Sequence, residues 1–329
     1  MFREERMNSL IRKVGVIGAG TMGFGIAFQF AINGVQTKLV DISDQMLEVA
    51  KGKFDAYLNL FRAEGYDIRF TDEEVMSHIT FTTDFRDLAN ADFVIESVTE
   101  NLTLKQNIFK ELDEICEANT ILASNTSSLK YSDITRHVTK HKDRTLLTHF
   151  FNPAHIVPLV ELLRSNDTSE EVFNEVKTFL EKNNKVTIEV KKEVAGLVAN
   201  RIQAAMVREA LSLIEDGVVS EKDLDTAIFE GPGFRFSSSG LLKIMDFGGL
   251  DVWKAVMDGL QPEIESGVRS FKKIEQKVEE GTIGVKSGKG FYDYPGKSFD
   301  GFVMDRDTEL VRHLLTTHSK LKVKEGTTT

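Results

Sequence analysis

KVGVIGAGTMG at residues 13–23, followed by TKLVD at 37–41, decides the fold of this chain. Lys13 to Ile17 is a short apolar run of strand character, and it ends at Gly18-Ala19-Gly20-Thr21-Met22-Gly23. Ile26, Ala27, Phe30 and Ala31 then fall on one helical face, with Gly34 as a natural C-terminal stop. The order is strand, glycine turn, helix, strand, acid. G-x-G-x-x-G alone is weak, but in this order, with an acid about 20 positions on, it specifies a dinucleotide site. Gly18 permits the tight turn, Gly20 lets a pyrophosphate approach the backbone, and Gly23 lets helix pack closely on strand. Thr21 and Met22 open the helix, whose first N–H groups and positive dipole end face the phosphates. Asp41 is placed to bind ribose hydroxyls and to repel a 2′-phosphate, which favours NAD over NADP. A kinase would need a strand after the glycines and an HRD-type loop, and the sequence has neither.

The composition bounds the remainder. A chain of 329 residues suits two domains of unequal size. The net charge of −10, from 41 basic and 51 acidic residues, argues against nucleic acid as a partner. No apolar run approaches the roughly 20 residues that span a bilayer. MFREERMNSLIR at the start lacks the apolar core of a secretory signal. The single cysteine, Cys116, follows Leu112 and Ile115 at helical spacing and reads as packing. A soluble cytoplasmic protein with a small-molecule substrate is expected, with no membrane partner. Seven histidines show no paired-ligand spacing, so no metal is expected; His137 and His141 sit in a Lys/Arg-rich stretch and read as solvated.

After Asp41 the chain is charged and helical to about Met76, with a strand at Ile79 to Thr82. Ala91 to Val98 reads as a buried parallel strand leading into Thr99-Glu100-Asn101, and a helix is expected over 103–118. Thr120 to Ala123 is the next strand, running into Ser124-Asn125-Thr126-Ser127-Ser128. A doubly wound sheet places its ligand at the C-terminal ends of its strands, so Glu100, Asn125 and Ser127 are candidates for the nicotinamide end. The alternative for SNTSS is a helix N-cap with spare hydroxyls.

His149-Phe150-Phe151-Asn152-Pro153 comes next, and Glu161 stands in the apolar run Leu159 to Leu162. A glutamate among aliphatic residues is costly to desolvate without a cation or donor nearby. Two strands joined by a Pro-bounded turn would bring it back against His149; the alternative is a turn with a surface histidine and an edge-strand glutamate. A carboxylate on one imidazole nitrogen fixes the tautomer, stabilises the protonated ring and leaves the other nitrogen for a substrate proton. Beyond about 195 only helical segments are evident: Val198 to Gly217, Ser220 to Glu230, Gly240 to Phe247, Asp251 to Leu260 and Ser270 to Glu280. Ser220 with Asp223 resembles a capping pair. The expected division is 1–193 as an α/β dinucleotide-binding domain and 194–329 as a helical domain, with a solvated tail over 320–329.

HFFNP, the glutamate of PLVE, SNTSS, the TEN turn, the Asn200-Arg201 pair and GVKSGKGFY at 284–292 together resemble the L-3-hydroxyacyl-CoA dehydrogenases over about residues 13–295. The resemblance implies a Rossmann domain followed by an all-helical domain like that of 6-phosphogluconate dehydrogenase, through which two subunits pair as a homodimer. It implies oxidation of a short-chain 3-hydroxyacyl-CoA, of the 3-hydroxybutyryl-CoA type, by NAD. It makes His149 the general acid–base and Glu161 its partner. Ser127 and Asn200 become the substrate contacts near the reacting carbon, with Asn152 beside His149 also on the substrate side. The glycine turn, Asp41, Glu100, Lys105 and Asn125 fall at the cofactor.

Two departures bear on the substrate. CoA-using members carry a lysine-rich stretch after the ribose acid, whereas residues 54–104 contain no lysine. GPGFRF at 231–236 looks more like the branch containing L-gulonate 3-dehydrogenase and the lambda-crystallin relatives. There a free hydroxy acid is oxidised, and Arg235 could clamp a carboxylate; the alternative for Arg235 is an interdomain or subunit salt bridge. The alternatives to an acyl-CoA substrate are therefore a free 3-hydroxy acid and a non-catalytic NAD-binding role.

Overall fold

The structure is a computed structural model, and it describes residues 10–268 and 270–324. The chain divides into two compact units: the first ends at Val198 and takes in Leu310–Leu314, and the second begins at Ala199.

The first unit carries strands β1 (Lys13–Ile17), β2 (Gln36–Val40), β3 (Ile79–Thr82), β4 (Phe93–Glu96), β5 (Ile121–Ser124), β6 (Thr145–Phe150), β7 (Leu159–Arg164) and β8 (Val186–Glu189). They form one sheet in the order β3-β2-β1-β4-β5-β6-β7-β8, parallel except where β6 meets β7. The order reverses between β1 and β4, and a doubly wound sheet opens its ligand crevice there, at the strands' C-terminal ends. β4, β5 and β6 are buried at every residue, as continuous apolar runs in a sheet covered on both faces should be.

The helices of this unit are α1 (Thr21–Ile32), α2 (Asp44–Ala63), α3 (Asp72–Ser77), α4 (Leu102–Ile115), α5 (Tyr131–Ile134) and α6 (Glu170–Lys182). α1 is buried from Gly23 to its end, so its apolar residues run all round it rather than in a stripe. Its Phe24 and Phe28 stack edge-on with Phe54 of α2, and Phe28 does the same with Phe61. The helical stretch expected from 42 to 76 is broken after Ala63, where Gly65 takes a φ of 78°; Thr71 and Glu74 then restart it as α3 with a reciprocal capping box.

His141 departs from the expectation of a solvated side chain. It is fully buried: Nδ1 lies 2.9 Å from Asp113 of α4 and Nε2 lies 2.7 Å from the Glu117 carbonyl. Desolvation raises the Asp113 carboxyl, yet His141 and the backbone N–H groups of Thr139, Lys140 and His141 together hold it well below the ordinary range. The flanking basic residues in sequence conceal this inward turn.

The second unit is helical: α7 (Ala199–Glu215), α8 (Glu221–Ile228), α9 (Phe234–Phe236), α10 (Leu241–Gly248), α11 (Leu250–Leu260), α12 (Lys272–Glu279) and the long α13 (Phe299–Lys324) except Leu310–Leu314, which belongs to the first unit. α8 passes through a π turn at Phe229–Gly233 into α9, and Ser220 caps α8 by accepting from the Asp223 N–H at 3.1 Å. α13 has little periodicity to mark it, and it carries residues 320–324, expected as solvated tail, as helix; 325–329 lie outside the described residues. Arg312 of α13 donates two hydrogen bonds to Glu64, at 2.7 and 2.9 Å. No helix among the described residues is long and apolar enough to cross a membrane.

Candidate active site

The glycine turn leaves β1 and enters α1 at the crevice. Gly18 has a φ of 97°, and a Cβ there would lie 2.7 Å from the Ser97 carbonyl oxygen. At Gly23 a Cβ would stand 1.7 Å from the Gly18 carbonyl oxygen, so helix and strand touch backbone to backbone. Gly20 differs: a Cβ would meet nothing within 4 Å. α1 has no side-chain cap and no acidic residue in its first turn, so Thr21 and Met22 open an uncapped N-terminus beside that space. Asp41, at the end of β2, accepts from the Ala19 N–H at 2.8 Å and the Ser43 N–H at 3.0 Å. Open backbone, helix N-terminus and fixed carboxylate fit the phosphates and ribose of a dinucleotide.

His149 and Glu161 are direct cross-strand partners in the antiparallel β6–β7 pair, so both side chains emerge on one face. His149 Nδ1 lies 2.8 Å from Glu161 Oε2, and Glu161 Oε1 accepts from the Val198 N–H at 2.9 Å. Glu161 has no exposed surface and His149 is 5% exposed. With Nδ1 committed, Nε2 is the nitrogen left for a substrate. The segment joining the two strands is held by Lys185, whose buried ammonium donates to the Ala154 and Val157 carbonyls at 2.6 and 3.0 Å. Burial pushes this ammonium down to about 7. Asn152, in the same segment, is exposed.

The expected nicotinamide-end residues gather on the loops after β4 and β5. Glu100 accepts from the Ser127 N–H at 2.9 Å, the Ser127 hydroxyl at 3.3 Å and the Thr126 hydroxyl at 2.9 Å. Partial burial raises its carboxyl, but the Ser127 N–H, the Lys105 charge and the Thr126 hydroxyl outweigh that and leave it below the ordinary value. Asn125 ties strand ends together: Nδ2 donates to Ser97 Oγ at 3.2 Å and Oδ1 accepts from the Phe150 N–H at 2.8 Å. Lys105 is 1% exposed, and its ammonium sits 2.6 Å from Glu96 and 3.4 Å from Glu100. Glu96 is a buried carboxylate at the base of these loops that the strand pattern hides. The cost of a carboxylate in an apolar run, the signal that singles out Glu161, applies equally to it. Asn200 opens α7 and Arg235 lies exposed on α9; both belong to the second unit.

Known proteins share both halves of this chain. Residues 13–194 match the family model described as 3-hydroxyacyl-CoA dehydrogenase, NAD binding domain, and residues 196–294 match the C-terminal domain of the same enzymes. A 3-hydroxybutyryl-CoA dehydrogenase of Clostridioides difficile is 35% identical over 86% of this chain and 99% of its own length. A 5-formyl-3-hydroxy-2-methylpyridine 4-carboxylate 5-dehydrogenase of Mesorhizobium japonicum is 29% identical over 92% of this chain and 97% of its own. A crystal structure under that same enzyme name superposes with a TM-score of 0.84, covering 92% of this chain and 97% of that one. The (S)-3-hydroxybutyryl-CoA dehydrogenase of Ralstonia eutropha gives 0.70 at 34% identity, covering 87% and 100%.

Proposed function

Because the chain belongs to the 3-hydroxyacyl-CoA dehydrogenase family, an NAD-dependent oxidoreductase group, we propose that it oxidises a short-chain 3-hydroxyacyl-CoA of the 3-hydroxybutyryl type to the 3-oxoacyl-CoA. NAD, when bound, supplies the hydride acceptor. His149 Nε2 takes the proton of the C3 hydroxyl as charge develops on the imidazole. Glu161, held from its far side by the Val198 N–H, stabilises that charge and keeps the ring in the tautomer that leaves Nε2 free. Ser127 and Asn152 of the first unit and Asn200 of the second are assigned to orienting the substrate oxygens. In the reverse direction the same nitrogen returns the proton. The observation that carries this reading is the 2.8 Å contact between His149 Nδ1 and Glu161 Oε2 on paired strands. The test is loss of NADH absorbance on adding acetoacetyl-CoA; an enzyme that binds NADH yet turns over no 3-oxoacyl-CoA and no 3-oxo acid contradicts it and favours a sensor role.

A second reading has an observation of its own. The relative whose structure superposes at 0.84 is named for a pyridine carboxylate rather than a thioester. Residues 54–104, which contain no lysine, offer no ammonium groups to a CoA phosphate. Under this reading Arg235 pairs with a substrate carboxylate. The two separate on kcat/KM for 3-hydroxybutyryl-CoA against free 3-hydroxybutyrate. We expect the thioester to be preferred by at least about 10-fold, roughly 1.4 kcal/mol of transition-state binding, and the preference to survive Arg235→Ala. Preference for the free acid that collapses in that variant assigns the chain to the other substrate class.

The second unit also supports a homodimer. Phe229, Phe234, Leu242, Phe247 and Leu250 are each at least 60% exposed. Leu211 and Ile214 are the buried apolar residues of α7, while α8, α10 and α11 bury none. An apolar surface of this kind in a helical unit is satisfied by a second copy, because a two-fold pairing covers the same patch on both. Sedimentation equilibrium is expected to give twice the chain mass of 36.9 kDa; a monomer at micromolar concentration would remove this proposal.

A further inference from the structure

The active-site loops rest on a buried charge system that the proposed chemistry does not itself use. Glu96, the last residue of β4, has no exposed surface, yet both oxygens of its carboxylate are engaged. Oε1 lies 2.6 Å from the Lys105 ammonium and accepts from the Val98 N–H at 2.8 Å; Oε2 accepts from the Ser124 hydroxyl at 2.7 Å. Ser124 is the residue paired with Glu96 across β4 and β5, and its Oγ also accepts from the Thr126 N–H at 3.3 Å. Lys105 reaches from α4, donates to the Val98 carbonyl at 3.3 Å and lies 3.4 Å from Glu100 Oε2. One ammonium therefore stands between a fully buried carboxylate and one at the crevice edge.

The consequence is a polarity imposed on Ser127. An ionised carboxylate only accepts hydrogen bonds. With Glu100 charged, the hydroxyls of Thr126, Ser127 and Ser128, at 2.9, 3.3 and 3.4 Å from Oε1, all donate toward it. Ser127 is thereby oriented toward Glu100 through both its N–H and its hydroxyl. Neutralising Glu100 releases that orientation. Lys105 is the cation that favours the charged form. Without a second anion at depth a buried lysine would be drawn toward Glu100, which it now faces at 3.4 Å. Glu96 is that anion.

We propose that Glu96 and Lys105 are positioning residues, which act through Glu100 to hold the loop that carries Ser127 in place beside the crevice. The substrate part of this inference rests on the placement of Ser127 under the proposed function, whereas the charge coupling does not, and the test separates them. The variants are Glu96→Gln, Lys105→Met and the double variant. The readouts are thermal melting, kcat and KM with acetoacetyl-CoA, and the titration of the Glu100 carboxyl by ¹³C NMR, assigned with Glu100→Gln. Glu96→Gln leaves a buried ammonium short of its closest anion, so it should melt earlier and lose about 10-fold in kcat with little change in KM, in keeping with a misplaced orienting group. The double variant removes both charges and should recover melting temperature over the singles while kcat stays low. Activity that returns with stability assigns the pair a purely structural role and overturns the proposal. The Glu100 midpoint should rise by at least about one pH unit in Lys105→Met and in the double variant, since the neighbouring cation is gone. An unmoved midpoint overturns the coupling whatever the substrate is. Should wild type fail with acetoacetyl-CoA while the midpoint rises, the substrate assignment falls and the coupling stands.

Discussion

His149→Gln is expected to retain NADH affinity within about twofold and to lower turnover by about 10²- to 10⁴-fold, the usual contribution of a positioned general base. Glutamine keeps a hydrogen-bonding amide near the ring's place but takes no proton at neutral pH, so binding and proton transfer separate. The cofactor turn is built on β1 and α1, with β4 and β5 standing between β1 and β6 in the sheet, which is why nucleotide affinity should survive. Glu161→Gln makes a second point. It removes the anion that stabilises the charged imidazole and also disturbs a buried group bonded to Val198, so both turnover and stability should fall. A buried charge pair broken on one side commonly costs about 3–5 kcal/mol, though the amide can still meet one of the two donors and reduce that. Stopped-flow hydride transfer measured beside NADH fluorescence titration reads the two effects apart. A His149→Gln enzyme with near-normal rates takes His149 out of the mechanism.

The site and fold are legible in sequence to the extent that they depend on local order. The glycine turn, the helix after it and Asp41 occur within 29 residues, and each follows from backbone sterics. The β6–β7 pairing is legible because an isolated glutamate in an apolar run needs a partner, and a histidine stands one hairpin away. What the sequence conceals depends on contacts far apart in the chain. His141 is buried because Asp113, 28 positions earlier, sits at the end of α4 with three backbone N–H groups around it. Lys185 stabilises the segment after β6 from 31 residues away, through carbonyl groups that carry no sequence signature. Glu96 is concealed for a different reason. Its run fits a buried strand so well that the acid within it passes as part of the pattern, although its desolvation demands a partner as surely as that of Glu161 does.

Gly20 and Gly23 look alike in the motif but should fail differently when each is given a methyl group. Gly20 has φ −67° and ψ −173°, which alanine adopts freely, and its Cβ would meet nothing within 4 Å. Gly20→Ala should therefore fold with stability unchanged or raised by about 0.4–1 kcal/mol through a stiffer unfolded chain. Its cost should fall on the ligand, because the methyl group would stand in the open space proposed for the pyrophosphate, and NADH should bind at least about 10-fold more weakly, roughly 1.4 kcal/mol. Gly23→Ala places its methyl 1.7 Å from a carbonyl oxygen that belongs to the turn itself. Neither backbone can yield without lifting α1 off β1, so a stability loss of about 3 kcal/mol or more is expected, at the upper end for overpacked sites. Urea unfolding monitored alongside NADH titration distinguishes the two. Wild-type affinity in Gly20→Ala would show that phosphate does not pass there, and wild-type stability in Gly23→Ala would contradict the close helix–strand contact on which the whole crevice is built.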